Sequence, residues 1–353
     1  MEHPTHQSPV HSFESDYNNG AHHAVMQALA ESNAATSASY GDDEWSQRAR
    51  QNIRKACQTP EADIFFLVGG TQTNATVIAA MTPLYAGVVA VETGHINVHE
   101  AGAVEATGHK VLTLPHHDGK MLAKELEALI ERFRNDPSGL HTVHPGMVYI
   151  TQPTELGTVY TATEIVAIHA VCKRYAIPLY IDGARLGYAL ASPACDFDLP
   201  WMAHHCDAFY IGGTKMGALC GEAVVFPRGN APRHFFSIIK QHGALLAKSR
   251  LAGVQFEALF TDDLYLSIGL EALYYAQQLV VLFAAAGIPT HIASPTNQQF
   301  FALTRQQMAT IGKHVRFETW EPLDADHTVC RFVTSWATTD ADMEALRTAL
   351  DTL

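Results

Sequence analysis

The chain has 353 residues, 47% hydrophobic and 17% charged, which excludes a disordered polypeptide and suffices for one large domain or two unequal ones. Twenty-three basic against 36 acidic residues leave a net charge of −13, which argues against nucleic acid and anionic membranes as partners. No apolar stretch approaches the roughly 20 residues of a membrane helix, and Met1 to Ser12 lacks the apolar centre of a signal peptide, so a cytoplasmic location is expected.

From about residue 60 to 226, short apolar runs alternate with amphipathic segments. Ile64–Val68, Gly87–Val91, Lys110–Leu114, Met147–Thr151, Leu179–Asp182, Ala208–Gly212 and Ala223–Phe226 read as strands. Thr71–Met81, Asn97–Thr107, Leu122–Phe133 and Ala162–Tyr175 carry apolar residues at helical spacing, the last preceded by a T-x-x-E capping signal at Thr161–Glu164. Strands alternating with helices predict a mainly parallel sheet covered on both faces, an α/β fold. From Asp263 to Ala286 the pattern becomes one long apolar helix. Strand-like runs Gln298–Leu303 and Thr328–Thr334 then precede a last helix, Asp340–Leu353, which suggests a smaller α+β domain. The expected division is an N-terminal tail over 1–14, a large domain over 15–255 and a small C-terminal domain over 256–353.

Two strands end on a single ionisable residue: Leu179–Asp182 at Asp182, and Ala208–Gly212 just before Lys215 in Gly212-Gly213-Thr214-Lys215. Parallel sheets gather ligands at the carboxyl ends of their strands. A lysine and an aspartate delivered there are what pyridoxal phosphate requires, the lysine as a Schiff-base amine and the carboxylate as partner of the pyridine nitrogen. The Val68-Gly69-Gly70-Thr71 turn between a strand and a helix suits a phosphate, because glycines let the backbone approach and a helix start favours negative charge. Other readings stay open here: Asp182 as a turn cap paired with Arg185, His95 as a core histidine, Arg331 in a surface ion pair, Glu100 as a local cap. The six cysteines are scattered, so reduced thiols are expected rather than disulfides. His95-x-x-x-His99 has metal-ligand spacing on a helix but no evident third ligand, so no metal is expected.

With these residues in place, the chain resembles the threonine aldolase family, within the aspartate-aminotransferase-like (fold-type I) group of pyridoxal phosphate enzymes. The matching stretches are Ser15-Asp16, Tyr40-Gly41-Asp42-Asp43, Gly70-Thr71-Gln72-x-Asn74, His95 with Glu100-Ala101-Gly102, Asp182-Gly183-Ala184-Arg185, Thr214-Lys215-Met216-Gly217 and Val329-x-Arg331-x-Val333-Thr334. The resemblance implies Lys215 as the Schiff-base lysine, Asp182 at the pyridine nitrogen and His95 stacked on the cofactor ring. It implies Gly70 and Thr71 on the phosphate, with basic residues of a neighbouring subunit (Lys240, Lys248 and Arg250 lie in the corresponding region). Arg185, Arg331 and Ser15 would hold the substrate carboxylate, a task that suits the bidentate guanidinium. His95 or His141 would act as base near the substrate hydroxyl, with His144 an alternative match to that histidine. In two places the chain departs from the family: Gln152-Pro153-Thr154-Glu155-Leu156-Gly157-Thr158 replaces a histidine-containing turn, T-H-N-G in type, after the Met147–Thr151 strand, and Gly212-Gly213-Thr214 replaces a small hydroxyl-rich lead-in to Lys215, which leaves the Schiff base intact.

The expected activity is cleavage of L-threonine or L-allo-threonine-like β-hydroxy-α-amino acids to glycine and an aldehyde. The alternative on the same scaffold is a β-eliminating lyase or aminotransferase acting on a small amino acid. The expected partner is a small amino-acid substrate, in a homodimer or homotetramer with active sites between subunits.

Overall fold

A computed structural model of the protein describes residues 11–353, so the first ten residues of the expected tail lie outside the described residues. Eleven strands are described: β1 (Asp63–Leu67), β2 (Ala86–Val91), β3 (Val111–Leu114), β4 (His144–Thr151), β5 (Leu179–Asp182), β6 (Ala208–Gly212), β7 (Glu222–Phe226), β8 (Thr290–Ile292), β9 (Gln298–Thr304), β10 (Glu318–Pro322) and β11 (His327–Val333). The first seven form one sheet in the order β1-β7-β6-β5-β4-β2-β3, and the last four a separate antiparallel sheet in the order β10-β11-β9-β8.

Within the large sheet, β3, β2, β4, β5 and β6 pair in parallel, as their helical connections require. β7 runs against both β6 and β1. Hence β1 points the same way as the parallel strands, and Leu67, Val91, Thr151, Asp182 and Gly212 all arrive at one edge. β2, β5, β6 and β7 are buried along their whole length, which is why they read as unbroken apolar runs rather than alternating ones.

Helices cover both faces. Gly70–Met81 matches its expected bounds within one residue, and Ala162–Tyr175 matches them and carries the capping box, Thr161 and Glu164 each bonding the other's backbone N–H. The expected helix over Asn97–Thr107 is broken instead. A single turn, His95–Val98, and a 3-10 turn, Glu105–Thr107, flank Ala101 (φ 51°) and Gly102 (φ 74°), whose left-handed backbone no helix can contain.

One further expectation is corrected. The helix Leu264–Ala285 is, by length and composition, apolar enough to cross a membrane. Here its Ile268, Ala272 and Leu273 pack into the core under the large sheet, while Leu279 and Phe283 join the cluster under the small one. It ties the two sheets together.

Candidate active site

At the carboxyl edge of the large sheet lies a cavity of about 310 Å³, bordered by Gly69, Gly70, Thr71, His95, Asp182, Ala184, Arg185 and Lys215. A second cavity of about 240 Å³ shares Tyr17, His95, Glu155, Arg185 and Lys215 with the first and adds His99, Glu318, Trp320 and Arg331. Of the nine expected site residues, seven therefore border this space.

Glycine splices two strand ends together here. Gly212 N–H donates to the Gly183 carbonyl at 2.9 Å. A Cβ on Gly183 would sit 2.0 Å from the Tyr210 carbonyl, and one on Gly212 would sit 2.1 Å from that of Ala184. Only with both residues lacking side chains do β5 and β6 close up far enough to bring Asp182 and Lys215 to one cavity.

Asp182 is buried and held on three sides. Its Oδ2 accepts from Asn74 Nδ2 at 2.9 Å and from the Tyr149 hydroxyl at 2.7 Å, and its Oδ1 accepts from Ala184 N–H at 2.9 Å. The same Asn74 nitrogen donates to Glu100 Oε1 at 2.8 Å, and Glu100 Oε1 lies 2.8 Å from His95 Nδ1. An ionised carboxylate only accepts, so Nδ1 carries the hydrogen and the imidazole is fixed in orientation. Glu100 is thus no mere local cap: it belongs to a buried chain running Asp182–Asn74–Glu100–His95.

Burial, and then the neighbouring Arg185, lower the Lys215 amine from the ordinary lysine value to about 8. Beside it, burial raises Glu222 to about 8, although its oxygens accept from Gly213 N–H at 3.0 Å and the Thr214 hydroxyl at 2.8 Å. Each group is pushed toward its neutral form.

Arg185 pairs with Asp16 rather than with Asp182, through Nε at 2.7 Å and Nη2 at 3.0 Å. Burial pushes Asp16 up, but Arg185, Lys215 and the bonds from Arg185 and Asn297 outweigh it and leave the carboxyl below its usual value. Arg331 stacks on Trp320 with its guanidinium carbon 4.8 Å from the ring centroid. Its Nη1 donates to Gln298 Oε1 at 2.8 Å, its Nη2 pairs with Glu318, and its Nε is buried with no protein partner among the described residues. Burial and then the charge of Arg185 lower the Arg331 pKa. Two guanidiniums that repel across one cavity make a site for an anion.

Ser15 is buried beside Asp16, and its hydroxyl likewise lacks a protein partner among the described residues; it does not border either cavity. His141 is not brought to the pocket at all. It ends a 3-10 turn before β4, and β4 runs parallel to β5 with Thr151 level with Asp182. The seven residue-to-residue steps from His144 to Thr151 therefore put it on the order of 20 Å away, at the opposite edge of the sheet. His144 begins β4 and shares that edge. The sequence reading missed Tyr17, Glu155, Glu222 and the supporting roles of Asn74 and Tyr149. Asn74 and Glu155 stood in stretches already singled out, but nothing in their spacing said which way they point.

The residues fit pyridoxal phosphate. An amine of lowered pKa and a fixed carboxylate share the cavity, and the helix Gly70–Met81 begins there at Gly69 with no side chain capping its first amides. Fold and site define an aspartate-aminotransferase-like, fold-type I pyridoxal phosphate enzyme. The chain belongs to the beta-eliminating lyase family, whose pattern matches residues 12–316. It is 32% identical over 340 residues to the low specificity L-threonine aldolase of Pseudomonas aeruginosa, spanning 95% of this chain and 94% of that one. A Pseudomonas sp. enzyme of the same description is 31% identical, with 95% of each chain covered. Among solved structures, the threonine aldolase of Leishmania major superposes with a TM-score of 0.93 at 37% identity, over 98% of this chain and 99% of that one. Histidinol-phosphate aminotransferase from Sinorhizobium meliloti, at 18% identity and a TM-score of 0.69, shares the fold.

Proposed function

We propose that the chain is a pyridoxal phosphate-dependent lyase that cleaves L-threonine or L-allo-threonine-like β-hydroxy-α-amino acids to glycine and an aldehyde. The observation that carries this reading is that Lys215 and Arg185 border two adjoining cavities, one holding Asp182 and the other Arg331. When bound, pyridoxal phosphate supplies an aldehyde for the lysine amine and an electron sink for a bond broken at the substrate Cα.

The protein's part is to load, hold and orient. Lys215, half neutral at about pH 8, is the nucleophile. Asp182, three of its lone pairs engaged by Asn74, Tyr149 and Ala184, would accept from the pyridine nitrogen with the one that remains. His95, its ring fixed by Glu100, would stack on the cofactor, and Gly70 and Thr71 would offer their amides to the phosphate. Arg185 has Nη1 left after Asp16 takes Nε and Nη2, and Arg331 has its buried Nε. These donors would hold the substrate carboxylate and so set which Cα bond is broken, with the hydroxyl of Ser15, the neighbour of Asp16 along the chain, as a further donor. For cleavage, that bond is Cα–Cβ.

Among the described residues, no lysine or arginine lines the phosphate end of the cavity, Val68 to Thr71 and Cys220. This supports a homodimer or homotetramer in which a neighbouring subunit supplies one. The same reading keeps the large domain at 15–255 and the small one at 256–353, with the apolar helix Leu264–Ala285 spanning their cores. Six cysteines without a disulfide partner fit the reducing cytoplasm.

Incubating the purified protein with L-threonine tests the reading. Acetaldehyde and glycine in equal amounts are expected; ammonia and an oxo acid would favour elimination instead.

A further inference from the structure

Five residues border both cavities, Tyr17, His95, Glu155, Arg185 and Lys215, and with the Schiff-base lysine among them they would surround the substrate carbons that react. Cleaving Cα–Cβ requires a group there to take the proton of the β-hydroxyl. Arg185 has no lone pair to offer, and Lys215 is committed to the cofactor. The His95 ring is anchored through Nδ1 to Glu100 and its face is assigned to stacking; Nε2 keeps a lone pair, but one that lies in the plane of the ring and so points beside a stacked cofactor rather than over it. Tyr17 is an exposed phenol, a weak acceptor.

Glu155 differs from all of these. It is buried, and its carboxylate is an acceptor with two oxygens, each bound only once by the protein. Oε1 takes the His95 backbone N–H at 3.0 Å, and Oε2 takes the Thr151 hydroxyl at 3.1 Å, so each oxygen keeps a free lone pair. The turn that carries it is rigid. Gln152 clasps Tyr160 through both its amide atoms, Thr154 N–H donates to the Thr158 carbonyl, and the Gly157 carbonyl accepts from the Ser294 and Thr296 hydroxyls.

We propose that Glu155 is the base for the substrate hydroxyl, an assignment that rests on the aldol-cleavage reading above. Its carboxylate takes the O–H proton as the O–H electron pair becomes the new C=O bond of the leaving aldehyde. The Cα–Cβ electron pair would be taken up by the electron sink that the cofactor supplies when bound. Glu155 then holds one proton, which balances the proton required at Cα to complete glycine.

The test is Glu155→Gln, which keeps the shape and removes the proton acceptor. Three results are expected together: cofactor content and borohydride labelling of Lys215 unchanged; exchange of the glycine α-hydrogen with deuterium oxide, which involves no hydroxyl, within about threefold of wild type; and threonine cleavage lower by about 10²–10⁴-fold. A binding readout is independent of turnover. Cofactor-free wild type titrated with reduced phosphopyridoxyl-threonine and phosphopyridoxyl-glycine should prefer the hydroxylated conjugate by roughly tenfold or more, and Glu155→Gln should lose most of that preference. Unchanged cleavage, an unchanged preference, or equal losses in exchange and cleavage would each overturn the assignment. If Glu155→Gln fails to hold cofactor, Glu155→Asp decides, with retained exchange and reduced cleavage expected and parallel losses overturning it. Wild type that exchanges glycine but never cleaves threonine would sink the aldolase reading itself, a result distinct from any of these.

Discussion

Lys215 and Asp182 show how far single residues speak through sequence. Each was legible because an ionisable group at the end of a buried strand needs a partner, and each borders the cavity. Asn74 was not legible, since its value lies in bridging Asp182 and Glu100, residues 108 and 26 positions away along the chain. Nor was Glu222, whose raised pKa comes from burial beside Lys215 rather than from any local pattern. The lowered lysine pKa has a kinetic consequence. With a value of about 8, roughly a tenth of the amine is neutral at pH 7, against about one part in three thousand for an unperturbed lysine. Only the neutral amine attacks an aldehyde, so loading of cofactor-free protein, followed by absorbance, should quicken with pH up to about 8 and then level off. A rate that keeps climbing toward pH 10 would mean the amine is not buried as described. The same shift carries a stability sign: the folded apo-protein disfavours the protonated lysine, a penalty present in full below about pH 8 and relieved as pH rises toward 10.5.

Periodicity located the helices Ala162–Tyr175 and Leu264–Ala285 and six of the seven strands of the large sheet within two residues; β4 begins three residues before its apolar run. It failed where tertiary packing sets the pattern. β10, Glu-Thr-Trp-Glu-Pro, has no buried residue and exists because its register with β11 sets Glu318 beside Arg331. Helix His23–Ser32 and helix Glu44–Cys57 precede the alternating region, and their apolar faces are completed by Arg250–Leu259, a segment far along the chain. The junction of β5 and β6 depends on glycine alone. Gly183→Ala would drive a methyl into the Tyr210 carbonyl, so we expect a loss of about 1–3 kcal/mol or more in denaturant unfolding, together with weakened cofactor binding. Thr161→Ala, which removes a capping box whose residues line neither cavity, should cost about 1 kcal/mol and leave cofactor binding untouched. Equal effects of the two substitutions on binding would show that the strand junction does not position the site.

The whole molecule closes on Asp16. This one buried carboxylate accepts from Arg185 at the end of β5 and from Asn297 beside β9, while Asn297 also donates to the Thr334 carbonyl after β11. Phe13 extends the tie, its N–H reaching the Arg316 carbonyl and its carbonyl accepting from Val333. The N-terminal segment thus fastens the small sheet against the edge of the large one, and Arg331 faces Arg185 across the substrate cavity. Such an arrangement is invisible to local patterns, because Ser15-Asp16 carries no periodic signal and its partners lie 169 and 281 residues away. What the architecture exists to do can be read from one covalent bond. Borohydride reduction of the cofactor-loaded protein, followed by peptide mapping, should place the pyridoxyl group on the peptide containing Lys215 and on no other lysine. A label elsewhere, or none on a protein that retains its cofactor absorbance, would contradict the site described here.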